Sequence, residues 1–239
     1  MEIKLYDFFD FLFPKCCPVC LMPVMPKGQK IHEKCIKKLD IIKEPYCLKC
    51  GRSIRDSQKE MCPDCMRKTF MFDSGRCTFN YRSSVNKAIK SIKENGTEEF
   101  VEFMADVTVR LHKMFLENVR PEIIVPVPLH HKKEMRRGFN QSKILADAVS
   151  RRTGIPVQNA LVKIRSTADQ KELGKREREN NLSGAFKANF GDNKIPKSVL
   201  LIDDIFTTGV TLSFCAKELK KSGVRYVYFL ALAAGDIST

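Results

Sequence analysis

Two groups of residues in this 239-residue chain have the types and spacing for chemistry. The first is Asp203 and Asp204, followed by Thr207, Thr208, Gly209 and Thr211, in the stretch SVLLIDDIFTTGVTL at 198–212. Adjacent carboxylates accept hydrogen bonds from sugar hydroxyls or hold a magnesium ion, but they repel a phosphate. A turn that carries threonine hydroxyls and a glycine at a helix start does the opposite, because its backbone N–H groups cradle an anion. Together the two halves are shaped for a phosphorylated sugar.

The second group is eight soft metal ligands. Cys17-x-x-Cys20 is followed by His32-x-x-Cys35, and Cys47-x-x-Cys50 by Cys62-x-x-Cys65, so the two halves repeat with a period of 30. Such knuckles place four ligands tetrahedrally on zinc, with His replacing one thiolate. Either each repeat holds its own ion, or the two interleave; the spacing fits both, and Cys16 competes with Cys17. In either scheme every position is filled by protein, which makes the role structural rather than catalytic. Zinc would stand in for a core that a lysine-rich segment of this length could not build alone.

Positioning the acidic pair and the threonine turn requires a strand that ends at a helix. Beyond about Phe70 the cysteine pattern stops and helix and strand signals alternate. Val85, Ala88, Ile89 and Ile92 recur at helical spacing up to Gly96, and Thr97 with Glu98 and Glu99 opens a second helix through Leu111. EIIVPVP reads as a buried strand, 140–152 as a helix closing at Gly154, and KSVLLID, LSFCAKELKKSG and VRYVYFLALA as strand, helix and strand. This alternation predicts an α/β fold, a parallel sheet flanked by helices. The domain boundary falls near 69, giving a zinc-binding module over 1–69 and an α/β domain over 70–239. In such a sheet ligands bind beyond the carboxyl ends of the strands, where the strand Val199–Ile202 would deliver Asp203 and Asp204.

Charge narrows the partners. The net charge is +14, and 130–180 alone holds 13 basic against 6 acidic residues. That excess attracts phosphates, on a small ligand or along a nucleic-acid backbone. No run of apolar residues is long enough to span a membrane. The opening MEIKLYDFFDFLFP is broken by Asp7 and Asp10 and lacks a cleavage site, so it reads as a short amphipathic helix of a cytoplasmic protein. Ten cysteines suit a reducing compartment when most hold metal.

The segment VLLI-DD-IF-TTG-V-T matches the signature of type I phosphoribosyltransferases, which bind 5-phosphoribosyl 1-pyrophosphate (PRPP). The blocks VPVPLHHKKEMRRGFNQSKILA and TADQKELGKRERENNLSGAF, Tyr81, IKSIKENG and the N-terminal cysteine repeat resemble the ComF family of competence proteins over nearly the whole chain. The resemblance implies that Asp203 and Asp204 hold the ribose hydroxyls and that Thr207, Thr208, Gly209 and Thr211 hold the 5′-phosphate. It implies a pyrophosphate loop involving Arg136, Arg137 and Gly138, a flexible loop over the site from Arg165 to Arg178, and Mg²⁺ carried with PRPP. Arg137 would support the leaving group. Arg178, in KRERE, fits that loop or a solvated helix face; Asn140 and Gln141 fit helix caps; Lys93 matches a family lysine; His130 and His131 read as surface residues. Two functions follow. One is a phosphoribosyltransferase acting on an unidentified acceptor in natural competence or the use of imported DNA. The other is a non-catalytic single-stranded DNA-binding factor with a vestigial or regulatory PRPP site. Competence or recombination proteins are the implied protein partners.

Overall fold

The structure, a computed structural model, describes residues 15–24, 29–167 and 182–235. The expected N-terminal helix, and the expected loop from 168 through Arg178, lie outside the described residues. In chain order the elements are α1 (Glu33–Ile36), α2 (Pro63–Arg67), β1 (Ser74–Asn80), α3 (Ser83–Asn95), α4 (Glu98–Leu111), α5 (Lys113–Val119) and β2 (Ile123–Pro126). They continue with α6 (His131–Arg137), α7 (Gln141–Thr153), β3 (Leu161–Lys163), β4 (Phe186–Ala188), β5 (Ser198–Phe206), α8 (Val210–Lys221) and β6 (Tyr226–Ala234).

Four strands form a wholly parallel sheet in the order β1-β6-β5-β2, and β3 with β4 makes a small antiparallel pair. The central strands are covered on both faces, which is why β5 and β6 read as near-continuous apolar runs. Along β5 the side chains alternate. Leu200 and Ile202 join the core beneath α3, α4 and α7, while Val199 and Leu201 join the core beneath α8. The second core centres on aromatic rings: Phe229 stacks on Phe206 at 5.1 Å and meets Phe72 edge-on at 4.9 Å, and Phe70 stacks on Phe72 at 5.0 Å.

The cysteine-rich segment is packed into these cores. Cys17, Val19, Val24, Ile31, Cys35 and Leu39 belong to the core under α3 and α4, and Ile42, Cys47, Cys50, Ile54, Cys62 and Cys65 to the core under α8. The two repeats therefore sit on opposite faces of the sheet, either side of its β1 edge. Contact there is close. A Cβ added at Gly51, whose φ is +71°, would lie 2.5 Å from the Arg76 Cα on β1, so only glycine fits. The Ile42 N–H donates to the Thr78 carbonyl, the Asn80 N–H to the Asp40 carbonyl and the Gly75 N–H to the Lys49 carbonyl.

Three expectations need correction. The sequence places the acids where strand Val199–Ile202 leaves the sheet, but β5 runs on to Phe206, with Asp203 opposite Ala231 and Ile205 opposite Ala233, because β6 continues beside it after β2 has ended. Arg136 and Arg137 close a short helix, α6, instead of lying in a loop, and Gly138 caps its end in the left-handed conformation. Thr97 stands at the start of α4 without capping it through its side chain, since its hydroxyl is 3.0 Å from that of Ser91.

Phe229→Ala would empty the centre of the aromatic cluster. The substitution is expected to cost about 3–5 kcal/mol, read as a lower urea midpoint with little change in the slope of the transition.

Candidate functional site

At the carboxyl edge of the sheet lies a crevice of about 940 Å³. Val127, Pro128 and Leu129 after β2, Asp203 to Thr207 from β5 onward, and Gly209 and Thr211 at the start of α8 all line it. The predicted acids thus share one cavity with Thr207, Gly209 and Thr211 of the predicted turn, while Thr208 and Gly138 are not among the residues that line it. Asp203 and Asp204 are only 9% and 7% exposed, yet both face it.

Two buried carboxylates need support, and two helices supply it. The Ser142 hydroxyl, in the first turn of α7, donates to Asp203 Oδ1 at 3.2 Å, and the Asp204 N–H donates to the same oxygen at 2.9 Å. Lys93, in the last turn of α3, brings Nζ within 2.7 Å of Asp204 Oδ2. Burial, followed by the neighbouring charge of Asp204, pushes the Asp203 carboxyl from 3.8 up to about 8.

The turn after β5 is built on Gly209, which also precedes the first residue of α8. Its φ is +75°, and a Cβ there would lie 2.8 Å from Phe206 Cζ and 2.9 Å from Phe70 Cε1, so both backbone and space require glycine. The aromatic cluster thereby forms the floor of the turn. The opposite wall is cationic: Lys132, Lys133, Arg136 and Arg137 come from α6 and Lys163 from β3. Arg137 donates to Gln141 Oε1, which fixes its head at the crevice, and Gly138 ends the helix just beyond. Asn140 caps α7, its side chain accepting from the Ser142 N–H at 2.9 Å, while its amide donates to the Val127 carbonyl. It thus joins the end of β2 to the helix that carries Ser142.

Sequence reasoning undervalued three residues here. Lys93 had only its likeness to a family lysine; its spacing from Ile89 and Ile92 on an amphipathic helix does not reveal that it ends over Asp204. Ser142 gave no signal at all. His130, read as a surface residue, lines the crevice and accepts from the Lys132 N–H to start α6.

The cysteine repeats resolve into one cluster each: Cys17, Cys20, His32 and Cys35, and Cys47, Cys50, Cys62 and Cys65, with ligand atoms in each set within 4.8 Å of one another. These donor sets fit zinc. Tetrahedral zinc with Zn–S bonds of about 2.3 Å sets sulfur–sulfur edges of about 3.8 Å. Cys50 Sγ and Cys62 Sγ are 3.7 Å apart. In the first cluster His32 Nε2 donates to the Pro23 carbonyl at 3.0 Å, which leaves the Nδ1 lone pair facing Cys20 Sγ at 3.3 Å. Both clusters are closed sets of four and leave no position for substrate.

Comparison with known proteins agrees with the paired cysteine clusters. Residues 8–68 match the family described as the double zinc ribbon domain. Competence protein F of Haemophilus influenzae is 31% identical over 194 residues, covering 79% of this chain and 84% of its own length. Competence protein ComFC of Bacillus subtilis is 27% identical over 207 residues, 84% of this chain and 82% of its own, and the DNA utilization protein YhgH of Escherichia coli is 27% identical over 221 residues, 90% and 94%. A purine phosphoribosyltransferase from Pyrococcus horikoshii superposes with a TM-score of 0.35 at 19% identity, over 55% of this chain and 73% of that one. Among the described residues no helix is long and apolar enough to cross a membrane.

Two measurements test the site. Metal analysis should find two zinc ions per chain. Cys50→Ser should lose one of them and destabilise the fold severely, because its cluster is inside the sheet core; Cys20→Ser, at a half-buried position, should lose the other with less damage. For Asp203 the folded chain keeps a proton that the unfolded chain releases near pH 4. Its contribution to stability is therefore full below about pH 4 and lost as the pH rises towards about 8. Urea midpoints of wild type and Asp203→Asn, compared from about pH 5 to about pH 8, should show the extra downward slope in the wild type alone.

Proposed function

The chain belongs to the ComF family of competence proteins, and from that premise we propose that its crevice binds PRPP together with Mg²⁺. The observation that carries the proposal is the convergence of Asp203, Asp204, Thr207, Gly209 and Thr211 on one cavity walled by cations. In this reading the N–H groups and hydroxyls of Thr207, Thr208, Gly209 and Thr211 take the 5′-phosphate. Asp203 and Asp204 accept from the ribose 2′ and 3′ hydroxyls, and Lys93 and Ser142 hold the pair in place. Arg137, with Gly138 behind it, faces the pyrophosphate end.

The chemistry that follows is displacement at the ribose C1. An acceptor lone pair forms the new bond to C1 while the C1–O bond breaks and its electrons leave with pyrophosphate; the acceptor gives up a proton. Magnesium bound with PRPP would neutralise part of the phosphate charge. The protein's own contribution is preorganised positive charge, from Arg137 and the lysines of α6, where the leaving group gathers negative charge. No segment among the described residues declares which nucleophile is accepted.

A second reading keeps the binding and drops the turnover. Lys132 and Arg136 are exposed along α6 at the mouth of the crevice, as a surface that tracks a nucleic-acid backbone would be. The name of one relative, DNA utilization protein, points to DNA in the same way. In this form the protein would be a single-stranded DNA-binding factor whose PRPP site regulates it or is a relic, acting beside competence or recombination proteins.

Calorimetry decides whether PRPP binds. Wild type should bind PRPP with Mg²⁺ and not without it, and Asp203→Asn with Asp204→Asn should weaken binding at least about tenfold; absent binding, or binding indifferent to the double change, would discard the proposal. Pyrophosphate release measured with and without single-stranded DNA separates the two readings. Release points to a transferase, whereas DNA binding that falls steeply with salt and proceeds without release points to the binding factor.

A further inference from the structure

The second cysteine cluster and the anion-binding turn are joined by one side chain, Arg52. It follows Cys50 and Gly51 in the knuckle and is 1% exposed. Its Nη2 donates to Asp64 Oδ2 at 2.7 Å and lies 3.8 Å from Cys62 Sγ. Nη1 donates to the Thr207 carbonyl at 3.3 Å, and the guanidinium carbon sits 5.1 Å from the centre of the Phe206 ring. Asp64 is itself buried in α2, between the ligands Cys62 and Cys65. Arg52 thus touches the metal cluster's helix, the metal cluster's sulfur and the turn that lines the crevice.

The orientation of one peptide gives this contact its effect. In a trans peptide the carbonyl and the following N–H point to opposite sides. Holding the Thr207 carbonyl against Arg52 therefore turns the Thr208 N–H away from the cysteine cluster, and fixes the peptide between Thr207, which lines the crevice, and Thr208. A guanidinium suits the task because its planar fork reaches a carboxylate and a carbonyl at once, and it stays charged when buried. Zinc held by four thiolates leaves a net negative charge, which a buried cation beside it offsets. Lysine could hold Asp64 or Thr207, but not both in a fixed geometry.

We infer that Arg52 is a positioning residue for the phosphate turn, and that through it the Cys47, Cys50, Cys62 and Cys65 cluster sets the affinity for the phosphate end of the ligand. The inference rests on the reading of the crevice given above. It gives the cysteine module a role at the binding site without any of its metal ligands touching substrate.

The test uses Arg52→Lys and Asp64→Asn in the full chain, with zinc content measured first. Ribose 5-phosphate is titrated into each protein, and pyrophosphate is then titrated into protein saturated with ribose 5-phosphate. Arg52→Lys should keep two zinc ions per chain and wild-type pyrophosphate affinity, while its ribose 5-phosphate affinity falls about tenfold. Hydrogen exchange should quicken at 207–211 and stay unchanged in β6. Asp64→Asn should show the same selective loss to a smaller degree, and carries the test if Arg52→Lys fails to fold. Equal weakening of both ligands means general loosening and overturns the inference. So does ribose 5-phosphate binding as tight as wild type, with the crevice reading left standing; a wild type that binds neither probe removes the crevice reading and this inference together.

Discussion

Burying one carboxylate beside another is unfavourable twice over, for lost hydration and for mutual repulsion. The carboxyl edge of this sheet is organised around that difficulty. Asp203 accepts from Ser142 and from the Asp204 N–H, with its carboxyl pushed toward the neutral form, and Asp204 meets Lys93. Each helper must come from a different element, so α3 and α7 have to pack on the same face of β5 with their relevant turns over the strand's end. Asn140, linking β2 to the start of α7, and Gly96, closing α3 just beyond Lys93, make that placement possible.

On the other face the same strand end rests on rings. Phe206 stacks on Phe229, has the Arg52 guanidinium over its ring and has Gly209 close to its Cζ, so the turn's shape is set by contacts that belong partly to the cysteine module and partly to the sheet. The buried Arg52–Asp64 pair fits the same pattern. Removing one partner of such a pair strands the other charge away from water, so each residue needs the other in place.

How much of this could be read beforehand varied with the kind of constraint. The zinc ligands and the acid-turn segment were legible because their spacing is dictated by chemistry within a few residues. β5 and β6 were legible because burial on both faces demands unbroken apolar runs. β1 was not: SGRCTFN carries polar residues through an edge strand that the cysteine module covers, and neither periodicity nor propensity separates it from a loop. The short helix α6 was hidden for a similar reason, since none of its residues is buried and its charges resemble a loop's. The pairing of ligands into one cluster per repeat, and the meeting of Lys93 with Asp204 across more than a hundred residues, are tertiary facts that no local pattern contains.

The two margins of the sheet have one more consequence. Along β1 the outward backbone groups are met by Asp40, Ile42 and Lys49, and along β2 Ile124 bonds with Pro156 and Gln158. Strand addition by a foreign chain needs a free row of such groups. At these positions both margins of the four-stranded sheet are already engaged, so among the described residues strand addition finds no free row there and recognition falls to side-chain relief and surface potential.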